Sequence, residues 1–168
     1  MPDFPYVISH FDKHIQLKKQ LLQAFKEQKF PGVKNNNELI YKTDWYTEKD
    51  VQREYLKIFY DPITEHMSHV FNSIKHDNPI YQTFWVTQYK KNHTFGKHHH
   101  RQSSWVSIYY LELPKNTPIT HFLNVFNEDV FVPNIVEGDI ITVPGFVWHW
   151  SPVNISNKTK TVISFNVE

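Results

Sequence analysis

The sequence contains no cysteine. That absence excludes disulfides, thiolate metal sites and a cysteine nucleophile, so a bound metal must take nitrogen or oxygen ligands, and it agrees with a reducing cytosol. An excess of charge of either sign is lacking too. Eighteen Lys and Arg stand against 17 Asp and Glu, for a formal +1. Such a balance gives no electrostatic reason to expect a nucleic acid or an acidic membrane as partner. No apolar run approaches the length of a membrane span, and residues 1–10 lack a basic start followed by an apolar core. The expectation is a soluble cytoplasmic protein with no membrane partner.

Aromatic residues are what the chain has in quantity: five Trp, nine Tyr and thirteen Phe, 16% of 168 residues. Aromatics favour strands and large cores, so the composition leans towards a β-rich domain. A chain of this length fits a single domain burying roughly 70% of its unfolded surface. Residues 11–28 read as a helix with Asp12 as start signal, because Ile15, Leu22 and Phe25 recur at helical spacing. A short strand is expected within 38–45, and Thr47-Glu48-Lys49-Asp50 reads as a helix cap before the apolar face of Val51, Tyr55, Leu56 and Phe59. Asp61-Pro62 then restarts a second helix carrying Ile63, Met67, Val70, Phe71 and Ile74. His66 and His69 on that helix read as exposed polar positions.

From Pro79 the pattern changes. Residues 80–89, 104–113, 120–126, 130–135, 139–143, 147–150 and 160–167 are short runs rich in Val, Ile, Thr and aromatics, punctuated by Pro, Gly and Asn. The sequence thus predicts a mainly β protein with N-terminal helices. Residues 1–78 form a helical support, and 79–168 form an antiparallel jelly roll, a double-stranded β-helix or cupin-like barrel.

Two stretches carry chemistry. In Lys97-His98-His99-His100-Arg101, strand alternation sends His98 and His100 to one face and His99 to the other, so H-x-H is a two-point claw. Asn92 to Lys97 before it reads as a polar loop. About fifty residues later Pro144-Gly145-Phe146-Val147-Trp148-His149 returns a third imidazole to the barrel after the Glu137-Gly138-Asp139 turn. Three neutral nitrogen donors suit iron, zinc, copper or nickel and leave positions open for chemistry. Trp148 and Trp150 flank His149 and point away from it by alternation. Tyr89, Tyr109 and Tyr110 are candidates for hydroxyl contacts inside the barrel, with only one of the last two facing inward. Asn166 is a polar residue in an apolar run and needs a partner.

The segments HHHRQSSWVSIYYLELP, EGDIITVPGFVWHWSPVN and KTVISFN together resemble the 2-oxoglutarate and iron(II)-dependent oxygenase superfamily, in particular small oxygenases of marine phages and bacteria. The resemblance spans residues 85–168 in order and spacing. It implies a dioxygenase that hydroxylates an unknown prime substrate and releases succinate and carbon dioxide, located in the host cytoplasm if phage-encoded. It implies His98, His100 and His149 as ligands of Fe(II). Lys160, with Tyr110 and Asn166, would bind 2-oxoglutarate, Lys160 standing where the family has an arginine for the distal carboxylate. Three departures stand out. His100 replaces the commoner Asp or Glu of the wider superfamily, Val162 replaces a serine, and Lys160 supplies charge without the bidentate fork, which implies looser binding. A homodimer is left open.

Two other readings share the barrel. A cupin-type metal enzyme without 2-oxoglutarate has a similar second motif, but it places a glutamate a few residues after H-x-H, where this chain has Arg101, Gln102, Ser103 and Ser104. A non-catalytic binding or phage structural module would take up no metal.

Overall fold

The computed structural model of the chain describes residues 1–48 and 51–168. In chain order its elements are β1 (Val7–His10), α1 (His14–Glu27), β2 (Val33–Lys34), β3 (Glu38–Ile40), β4 (Lys42–Thr43), α2 (Glu54–Ser73), β5 (Tyr81–Tyr89), β6 (Thr94–His98), β7 (Trp105–Glu112), β8 (His121–Leu123), β9 (Val130–Phe131), β10 (Asp139–Pro144), β11 (His149–Ser151) and β12 (Lys160–Val167). They build two six-stranded sheets, ordered β1-β10-β7-β12-β5-β4 and β2-β3-β6-β11-β8-β9. Every pairing is antiparallel. The architecture is thus mainly β with two helices, as the sequence predicts.

Strand alternation divides the first sheet between two apolar layers. Phe84, Val86, Tyr109, Leu111, Ile140, Ile163 and Phe165 point to one side and pack with Leu21, Phe25, Tyr55, Phe59 and Met67 of the helices. Their neighbours Trp85, Tyr89, Val106, Ile108, Tyr110, Ile141, Val143 and Val162 point to the other and meet Phe122 and Ile40 of the second sheet. Being covered on both faces, β10 and β12 are buried along their whole length, which is why they read as nearly unbroken apolar runs.

The N-terminal stretch is more than a helical support. It supplies β1 and β4 to the first sheet and β2 and β3 to the second. These strands are only two to four residues long, too short for a period-2 pattern to declare itself. Helix α1 begins at His14 without a side-chain cap, so Asp12 does not start it. Its buried stripe is His14, Leu21, Ala24 and Phe25, and Ile15 is 87% exposed. The expected cap at residues 47–50 includes Lys49 and Asp50, which lie outside the described residues.

Helix α2 is a correction. Pro62 does not restart a helix but sits inside one continuous helix. Interior proline costs about 3 kcal/mol through a lost hydrogen bond and a clash. Against that, Tyr55, Phe59, Ile63, Met67, Val70 and Phe71 lie on a single buried stripe, and burying each such side chain returns roughly 1.5–3 kcal/mol. Tertiary packing therefore overrides the break. His66 on this helix is also less exposed than expected: its side chain is 15% exposed and lies edge-on to Phe11.

Candidate metal centre

The stretch expected to be a loop before the histidines, residues 92–97, becomes β6 from Thr94 onward, and this strand holds the site. Its register with β11 sets His98 directly opposite His149. Their rings are 4.4 Å apart. His100 lies two residues beyond the end of β6, and its backbone N–H donates to the Gly145 carbonyl at 2.7 Å. Its ring is stacked 5.3 Å from that of His149. A side chain at Gly145 would run into the carbonyl oxygens of Ser103 and His100, so only glycine admits this approach. One ring nitrogen from each of His98, His100 and His149 falls within 4.8 Å of the others. His99 points away and meets the Trp148 ring at 4.3 Å, as alternation predicts.

The donor chemistry fits a metal. Burial holds the His98 imidazole below its usual pKa, lowers His100 to about 4, and pushes His149 well below the ordinary range, with neighbouring imidazoles adding to the last two. All three are neutral at pH 7, the ligating form. His98 Nδ1 lies 2.7 Å from the Gly96 carbonyl and His149 Nδ1 lies 3.0 Å from that of Val147. A carbonyl can only accept, so each Nδ1 carries the proton and each Nε2 offers its lone pair to the centre. His100 Nε2 is buried with no hydrogen-bond partner among the described residues. Such an orphan calls for an explanation, and a cation shared with His98 and His149 supplies one.

From the histidines a narrow cavity runs between the sheets, lined by Tyr89, Thr120, Ser151 and Ser164 among others. Lys160 is the first residue of β12 and is fully buried. Its ammonium donates to Ser151 Oγ at 2.6 Å and to the Pro118 carbonyl at 2.9 Å, and it lies 4.6 Å from the centre of the Tyr89 ring. No carboxylate pairs with it among the described residues. Burial lowers its pKa from 10.5 to about 7. A buried cation with neutral partners only is a place for an incoming anion.

The other expected cofactor residues are placed differently. Tyr110 faces inward, but its hydroxyl accepts from the Thr120 N–H at 3.3 Å, burial raises its pKa to about 12, and Tyr89 rather than Tyr110 lines the cavity. Tyr109 faces the helices and contacts His14. Asn166 is on the cavity side of β12, yet six residues from Lys160 in an extended strand is about 20 Å. It lines an open outer groove of about 790 Å³ together with Gln82, His100 and Arg101, and its Oδ1 is buried without a partner among the described residues. Ser151 went unnoticed in the sequence, although its place two residues after His149 sends it to the same face. Glu38, Trp45 and Trp85, which border the histidines from the other side, carry no spacing signal relative to them.

Comparison with protein-family models and with curated proteins finds no match. Solved structures do match in shape. A 2OG-Fe(II) oxygenase-family oxidoreductase from Burkholderia pseudomallei superposes with a TM-score of 0.77 at 10% identity, covering 97% of this chain and 85% of that one. The non-heme alpha ketoglutarate dependent epimerase SnoN from nogalamycin biosynthesis gives 0.73 at 9%, covering 98% and 78%. The viral collagen prolyl hydroxylase from Paramecium Bursaria Chlorella virus-1 gives 0.63 at 16%, covering 96% and 94%. The chain has the jelly-roll fold of the 2-oxoglutarate–Fe(II) oxygenases. At these identities the likeness speaks for the fold.

Proposed function

We propose that the protein is a 2-oxoglutarate- and iron(II)-dependent oxygenase. The observation that carries this reading is one line of residues between the sheets: three neutral imidazoles converging beside a narrow cavity, and a buried ammonium that pairs with no carboxylate among the described residues and is bonded to Ser151 in that cavity's lining. His98, His100 and His149 would hold the metal. Lys160, steadied by Ser151 and backed by Tyr89, would receive the distal carboxylate of 2-oxoglutarate, an assignment that the geometry supports for Lys160 and not for Tyr110 or Asn166. Bound there, the metal and cosubstrate would supply oxidation of a substrate C–H bond by dioxygen, one oxygen atom going to the substrate hydroxyl and the other into succinate as carbon dioxide leaves. The protein's share is orientation and exclusion of water. The carbonyls of Gly96 and Val147 fix two imidazole tautomers, and Phe95 and Phe122 pack against the rings of His98 and His149.

Anaerobic titration tests the reading. Iron(II) followed by 2-oxoglutarate is expected to give a visible charge-transfer band that disappears in His98→Ala and weakens in Lys160→Ala. Iron uptake with no response to 2-oxoglutarate would point to a cupin-type enzyme, and no uptake would rule out both. The fold leaves the prime substrate open, since its relatives act on a collagen substrate in one case and in nogalamycin biosynthesis in another.

A further inference from the structure

The face of the histidines turned away from Lys160 is walled by aromatic rings. A recess of about 240 Å³ is bounded by His98, His99 and His100 on one side and by Trp45, Tyr46, Trp85, Phe95 and Glu38 on the others. Trp85 stacks on His100 at 5.4 Å, and Phe95 stacks on His98 at 4.1 Å. Trp45 stands edge to face against Trp85 at 4.6 Å and nearly perpendicular to His100. Large aromatics usually bury themselves, yet Trp45 is 42% exposed and Tyr46 57%. Their rings are held open at the mouth of the site.

One carboxylate is built into this wall. Glu38 lies on β3 directly opposite Phe95 of β6. Its Oε2 accepts from the Asn35 side-chain amide at 2.8 Å and from the Tyr46 hydroxyl at 3.3 Å. Both bonds engage Oε2 and leave Oε1 without a protein partner among the described residues. The segment bearing Trp45 and Tyr46 is anchored from behind by Asp44, fully buried, which accepts from the Val86 N–H and the Tyr55 hydroxyl, each at 2.7 Å, and pairs with Arg53 at 2.9 Å. The recess is therefore a positioned feature. Arg101 lies in the neighbouring outer groove and not in this one.

Aromatic faces carry negative quadrupole potential, and a carboxylate adds a full negative charge. An anion is repelled from such a box, and a neutral apolar group would desolvate Glu38 without compensation. An alkylated ammonium satisfies both: its methyl or methylene groups pack on the rings and its charge faces the carboxylate. We propose that the prime substrate carries an alkylated ammonium group seated in this recess. Calling the occupant a substrate rests on the oxygenase reading; the binding of the cation does not.

Choline and its neutral isostere 3,3-dimethyl-1-butanol form the test. Each is titrated into the whole protein, followed by tryptophan fluorescence. Choline is expected to bind about ten-fold more tightly than the isostere, with E38Q removing most of that preference and Trp45→Leu weakening choline binding. Far-UV circular dichroism shows whether each variant is folded. Equal affinities, no binding of either compound, or a preference that survives E38Q in a folded variant overturns the proposal. Iron(II) uptake is read in the same samples. A cation preference without iron uptake refutes the oxygenase and keeps the cation site, whereas iron uptake without the preference does the reverse.

Discussion

Replacing Lys160 by methionine asks whether its ammonium is kept in the barrel at the expense of stability. Nζ is withdrawn from water with two neutral acceptors, and burial lowers its pKa from 10.5 to about 7. Between those values the unfolded chain holds a proton that the native chain has released, so native stability rises with pH across that window. One pH unit corresponds to about 1.4 kcal/mol, so the wild type gains about 3 kcal/mol on K160M between about pH 7.5 and about pH 9.5. Below the folded pKa the whole penalty is present, on the order of 5 kcal/mol. The two hydrogen bonds that the methionine gives up offset part of it, at about 1 kcal/mol each. K160M is therefore the more stable protein near pH 6. Urea unfolding followed by far-UV circular dichroism, at several pH values for both chains, measures the difference. On the proposed cosubstrate role of Lys160, adding 2-oxoglutarate to the wild type is expected to supply the missing counter-charge, raise the folded pKa and flatten the slope. Parallel stability–pH curves for the two chains would refute the reasoning, because a solvated lysine produces no such divergence.

Other perturbations separate the parts of the site. Gly145→Ala puts a methyl group against the His100 and Ser103 carbonyls, so iron(II) affinity should fall at least ten-fold by equilibrium dialysis while the protein stays folded. His99→Ala should retain full iron uptake, since this ring packs on Trp148 outside the triad, and lose about 1 kcal/mol in urea unfolding. Asp44→Ala leaves Arg53 without its partner and strips acceptors from Tyr55 and Val86; a loss of about 3–5 kcal/mol is expected by thermal or urea unfolding. Met67→Ala, in the buried stripe of α2, should cost about 2–5 kcal/mol without changing iron affinity.

The sequence made the long strands and the histidines readable for a physical reason. Strands of six to nine residues buried on both faces leave unbroken runs of Val, Ile and aromatics, and β5, β7, β10 and β12 fall close to their expected positions. His98 and His100 share a face because alternation is a local property of the backbone, and it persists for two residues past the end of β6. What depends on long-range geometry was not readable. β1, β3 and β4 exist because they pair with strands distant in sequence, His10 with Asp139, Glu38 with Phe95 and Lys42 with Gln88, and β2 because it pairs with β3, rather than because of their own pattern. The break expected at Pro62 yields to a buried stripe that only the folded sheet provides. Asn166 and Lys160 share the cavity side of β12, and the rise of an extended strand sets them about 20 Å apart, a separation that the spacing alone already implies. Glu38 and Trp45 reach the histidines only through the pairing of β3 with β6 and of β4 with β5.

Both sheets end in fragments. The outermost strands are β1, with four residues, and β2, β4 and β9, with two each. An edge of two residues offers a neighbouring molecule about one rung of backbone hydrogen bonds, far below what would hold a foreign strand in register. Three of the four sheet edges thus offer almost nothing for a foreign strand to pair with, and β1, with four residues, is the longest edge among the described residues. In an association of two copies, side chains on a sheet face would make most of the contact, because outside β1 there is little backbone edge to share.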